Sequence, residues 1–157
     1  GMRIARYYCP KAQTTYSLLP DCLASRLSGD LTAVEEVVAR VEGSRSIEAA
    51  ADFLRPADIS LPSAVRWVRR RLVPVRAALL ALVTLMPQLF AGCLPTVGEA
   101  RRVLCTPKSL VALREVAQAR LGALPPPLGF GPRAKPRRRR RGDRQHQMGP
   151  DPPARRW

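Results

Sequence analysis

Residues 46–72 read SIEAAADFLRPADISLPSAVRWVRRRL, and this stretch decides the fold. Its first part predicts a helix over 46–54. Ser46 suits the N-cap, Glu48 suits the electropositive first turn, and Ile47, Ala50, Ala51 and Leu54 fall on one side. Arg55-Pro56-Ala57-Asp58-Ile59 interrupts it, because the residue before a proline is pushed out of helical geometry. A second helix starts near Ser60 and Leu61. Pro62 is tolerated in a first turn, where the N–H it lacks would have no helical partner.

At about 100° per residue, Leu61, Val65, Val68 and Leu72 make an apolar stripe on this second helix. Arg66, Arg69 and Arg70 lie on the opposite face, with Ser63 beside them. Upstream, Leu31, Val34, Val37, Val38 and Val41 recur at helical spacing, predicting a helix at 32–42. Thr32-Ala33-Val34-Glu35 has the form of a capping box, and Gly43 sits where a terminating glycine belongs. Three short helices in this order are the plan of a helix-turn-helix module, whose last helix can enter a major groove. The 55–59 loop is longer than the tight turn of the simplest such units.

Further along, Pro74 is expected to end or kink the third helix. An apolar helix follows at 75–92, then helices at 96–105 and 107–121 closed by Gly122. From 123 the composition changes, and eight of the 16 prolines lie beyond that point. Such a segment buries too little apolar area to offset chain entropy, so 123–157 is expected to be disordered. Its run Arg137, Arg138, Arg139, Arg140, Arg141 would add sequence-independent phosphate binding, or would mark a weakly selected Arg-rich end.

Charge narrows the partners. The chain carries 27 Lys+Arg against 12 Asp+Glu, a formal net charge of +15. A surface of that sign attracts DNA, RNA or anionic lipid. No Asp or Glu occurs between Asp58 and Glu99 to neutralise the arginines of the third helix. Arg45 and Arg71 would join the tail in holding phosphates. Aromatic residues are only 5% against 46% hydrophobic, so the core must be aliphatic.

At the N-terminus, Arg6-Tyr7-Tyr8-Cys9 and Thr14-Thr15-Tyr16-Ser17-Leu18-Leu19 suit two strands, too few to be stable alone. The run from Arg6 through Pro20 and Asp21 resembles the second half of a bacterial zinc ribbon. In that family a Cys-x-x-Cys knuckle precedes Thr-aromatic-Ser-Leu-Leu-Pro. Together with 46–70, the likeness covers roughly residues 3–72 and is to insertion-sequence transposase-like proteins, where the ribbon precedes a helix-turn-helix. The resemblance implies DNA binding. It departs at Ala12, which stands where the second ligand would fall, and the upstream Cys pair is missing. A structural zinc site wants four ligands, so no metal is predicted. The hairpin would be held by Tyr7, Tyr16, Leu18 and Leu19 packing on the helices.

No catalytic constellation emerges, so the chain reads as non-enzymatic and without a cofactor. The acids are few and mostly on helix surfaces, the sole histidine is His146, and Gly129-Phe130-Gly131 is too short for a phosphate loop. Cys9, Cys22, Cys93 and Cys105 form no Cys-x-x-Cys pair and read as reduced thiols. Gly1 reads as a scar of tag removal. No secretory signal opens the sequence, giving a cytoplasmic expectation. Residues 77–94 hold no charge, at the lower limit for a membrane span. Pro87, Gln88 and the need of two later helices for a partner favour a buried helix or a dimer interface there instead.

The expected architecture is thus mainly α. A degenerate ribbon-like hairpin at 2–24 precedes a helix-turn-helix at 30–73, a helical packing or homodimerisation region at 75–122, and the basic tail.

Overall fold

The computed structural model describes residues 4–132. Two antiparallel strands, β1 (Ala5–Cys9) and β2 (Thr14–Leu18), form a hairpin with Tyr7 opposite Tyr16 and Tyr8 opposite Thr15. Six helices follow: α1 (Leu31–Glu42), α2 (Ile47–Leu54), α3 (Leu61–Leu85), α4 (Pro87–Phe90), α5 (Val97–Leu104) and α6 (Ser109–Val116). The protein is therefore mainly α with a short N-terminal hairpin, as the sequence leads one to expect.

Helix α1 is the centre of the molecule and touches α2, α3, α5 and α6. Its apolar stripe Leu31, Val34, Val37, Val38 and Val41 is buried. The expected capping box does not form. Asp30 caps α1 instead, its Oδ1 accepting from the Ala33 N–H at 2.6 Å. Glu35 is fully buried and serves another helix. Its Oε1 accepts from the Ser109 N–H (3.1 Å), the Ser109 hydroxyl (2.9 Å) and Arg101 Nε (2.7 Å), and its Oε2 from the Leu110 N–H (2.8 Å). A buried carboxylate is tolerated only when its lone pairs are filled in this way. Glu42 does the same for α5, accepting from the Val97 and Gly98 N–H groups at 3.0 and 3.1 Å. Two acids of α1 thus satisfy the orphan donors at the starts of α5 and α6.

The central correction concerns α3. Pro74 does not end the helix, and one helix of 25 residues runs through it. The expected boundary between 30–73 and 75–122 therefore falls inside a single helix. Val68, Leu72, Val75, Ala78, Leu79 and Leu82 bury one side along most of its length. Tertiary burial of that side outweighs the cost of an internal proline, about 3 kcal/mol. The apolar segment expected at 75–92 becomes the end of α3 plus the short α4. The last expected helix is also shorter, α6 stopping at Val116 before a single 3-10 turn at Gln118–Arg120.

The chain end departs from expectation as well. Leu124 and Leu128 are fully buried, and 124–131 folds back onto the helices. Arg114 pins it there. This buried guanidinium donates to the carbonyls of Pro20, Asp21 and Leu23 on one side, and of Pro127 and Leu128 on the other. Its pKa falls below the ordinary arginine value because burial disfavours the charge, partly offset by nearby Asp21. The Ser25 hydroxyl donates to the Gly129 carbonyl, and the Ser25 N–H to the Pro127 carbonyl. Gly129 and Gly131 lie so close to the Leu124 carbonyl that any Cβ would collide with it. These glycines serve close packing. The expected disorder of the basic tail, including Arg137 to Arg141, concerns residues outside those described.

The hairpin does not pack as expected. Tyr7, Tyr16 and Leu18 are exposed, and only Leu19 is half-buried. Among the described residues, no helix is long and apolar enough to cross a membrane.

Candidate nucleic-acid interface

Helices α1, α2 and α3 make the expected three-helix arrangement, with α2 packed along the N-terminal half of α3. Ser46 caps α2 through its hydroxyl, which accepts from the Ala49 N–H at 3.1 Å. The connecting loop is braced by Arg55, which pairs with Asp52 at 2.8 Å and donates to the Ile59 carbonyl at 3.0 Å. A shallow apolar cleft bordered by Leu54, Ile59, Ser63 and Trp67 opens between the two helices.

Val68 and Leu72 bury the inner side of α3, while Leu61 and Val65 are half-buried. Arg66, Arg69 and Arg70 are exposed on the outer side. Because α3 continues through Pro74, Arg76 joins them, also exposed. The four lie within an arc of roughly 120° and span about 15 Å of helix, at 1.5 Å rise and 100° per residue. Arg76 is hidden in the sequence when Pro74 is read as the end of the helix. Its spacing of seven from Arg69 was the available signal.

These groups differ in their local bonds. Arg66 Nη2 donates to the Ser63 hydroxyl at 3.3 Å, which places Ser63 as a brace for the arginine. Ser60 in turn donates to Ser63 at 3.0 Å. Arg69 meets Glu48 of α2 at 3.3 Å. Both side chains are more than half exposed, so the pair is screened and worth at most about 1 kcal/mol. It leaves Arg69 able to exchange Glu48 for a phosphate.

Arg71, expected among the phosphate contacts, is half-buried and has partners within the fold. Its guanidinium stacks over the Trp67 ring at 3.9 Å and donates to the Trp67 carbonyl at 3.3 Å and to Ser28 at 3.5 Å. Partial burial lowers its pKa from the ordinary arginine value. Arg71 thus ties α3 to the segment before α1. Arg45 is exposed in the loop between α1 and α2. Among the described residues, no group of three or more His, Cys, Asp or Glu could hold a metal ion, and all four cysteines are free thiols.

Chemically, an acid-poor row of guanidinium forks can do two things. It can clamp phosphates, and it can pair bidentately with guanine edges. No protein-family model, no curated protein and no solved structure matches this chain.

Proposed function

We propose that this chain is a non-catalytic DNA-binding protein that presents residues 66–76 of α3 to DNA. The observation that carries this reading is the exposed face of Arg66, Arg69, Arg70 and Arg76, with one weak carboxylate partner among the four. The inner side of the same helix is fixed in the core, so the backbone that carries the face is ordered before binding and only the side chains remain to be ordered. The likeness of residues 3–72 to transposase DNA-binding ends points the same way. Arg45 and the basic tail supply phosphate contacts away from the helix, and Ser63 and Arg71 hold the helix surface in shape.

The test is fluorescence anisotropy with a mixed-sequence duplex at two salt concentrations. The Arg66→Ala/Arg69→Ala/Arg70→Ala variant should bind at least tenfold more weakly. The slope of log affinity against log salt should flatten by about 0.9 for each phosphate contact removed. A sequence motif selected from random DNA by the native chain should disappear with the variant. Absence of duplex binding by the native chain at low salt would refute the reading and favour a protein-interaction role.

A further inference from the structure

The hairpin carries a second surface that α3 does not explain. Tyr7 is 59% exposed, Tyr8 63% and Tyr16 53%. The cross-strand register puts Tyr7 and Tyr16 opposite each other on one face, beside Leu18, while Tyr8 lies on the other face beside Arg6. Lys11 sits in the connecting turn. No Asp or Glu occurs from Ile4 through Pro20, so the ribbon is cationic throughout. Two exposed rings on one face, a third beside Arg6 on the other, and Lys11 at the turn are costly to leave in water and match a partner that is both flat and anionic. A polyanion with flat, unpaired faces offers phosphates to Arg6 and Lys11 and bases to the tyrosines. Duplex DNA hides those faces within its stack, whereas a single strand presents them.

We propose that the β1–β2 ribbon is a stacking platform for single-stranded nucleic acid, separate from the duplex-facing side of α3. Tyr7 and Tyr16, side by side across the two strands, offer places for two bases on one face, and Tyr8 beside Arg6 offers a third on the other. This site stands independently of the proposed α3 function, since it uses different residues and a different form of the polymer.

The experiment uses the full chain and two labelled probes, a 20-nucleotide oligo-dT and a 20-base-pair mixed duplex. The Tyr7→Ala/Tyr8→Ala/Tyr16→Ala variant should lose about tenfold or more in affinity for oligo-dT, and less than about twofold for the duplex. The corresponding triple Phe variant should retain oligo-dT binding, because the ring rather than the hydroxyl stacks. The Arg66/Arg69/Arg70 alanine variant should show the converse pattern and lose chiefly duplex affinity. Far-UV circular dichroism should be near-native in the tyrosine variants, as the helices do not depend on those rings. Equal loss on both probes would overturn the proposal, as would unchanged oligo-dT affinity. So would sedimentation showing a dimer that the alanine variant abolishes, which would assign the ribbon to a second copy. Failure of duplex binding alone would count against α3 and leave the ribbon standing.

Discussion

Arg114 shows how a single side chain can replace a patch of core. Its guanidinium spends all its bonds on backbone carbonyls of 20–23 and 127–128, two segments outside helix and hairpin in which Pro20 and Pro127 have one other donor each. Buried carbonyls without donors cost roughly 1–3 kcal/mol each. Arg114→Leu, which keeps the apolar stem, should therefore destabilise the fold by about 3–5 kcal/mol, read as a shift in urea midpoint at unchanged slope. Arg114→Lys should recover little, because an ammonium cannot fork toward two segments. Nothing in the sequence singled this residue out. An arginine within an Arg-rich chain carries no mark of burial, and its partners are carbonyls, which composition does not reveal. Glu35 was hidden for a related reason: its place three residues after Thr32 gave it a ready local role, and the distant donors of Ser109 and Leu110 outcompeted that role.

Among the elements, helix α3 is where local signals and tertiary packing disagree most. Local rules assign Pro74 to a helix end, yet the burial of Val68, Leu72, Val75 and Leu79 on either side of it enforces continuity. Pro74→Ala restores the N–H that can bond the Arg70 carbonyl. It should raise stability by about 1–3 kcal/mol, measured by denaturant unfolding, with little effect on duplex affinity. By contrast, the existence of α1, α2 and the start of α3 was legible from apolar periodicity and from Ser46, since these are local properties. The outward face of Arg66, Arg69 and Arg70 was legible too, because the apolar stripe fixes the opposite side of a helix. The reach of that face to Arg76 is hidden only when Pro74 is read as a helix end, whereas the stacking of Arg71 on Trp67 lies beyond what periodicity can supply. The hairpin strands were readable from their β-branched and aromatic content, but their detachment from the helices was not, since exposed tyrosines look the same in sequence as buried ones.

For the whole molecule, the charge is unevenly shared. Residues 4–132 hold 16 Lys+Arg against 10 Asp+Glu, whereas 133–157 hold ten Arg/Lys against two Asp. Removing 133–157 takes away ten cations against two acids and should weaken duplex binding and flatten its salt dependence, checked by anisotropy across salt. Ending the chain at 122 should behave differently. That cut discards Leu124 and Leu128, both fully buried, and strands Arg114 without two of its acceptors. The shorter chain should unfold at least 10 °C lower, given several kcal/mol lost from a domain of this size.

The unbroken α3 also governs how this polypeptide can be dissected. Severing it at Pro74 would yield two pieces, each with half of a helix whose buried side has lost its companions, and neither should acquire structure in isolation. Mixed together, they should reassemble, because the contacts of α1 with α5 and α6 and the grip of Arg114 would draw the halves into register. The piece that should fold when transferred is accordingly everything from Pro20 to Gly131.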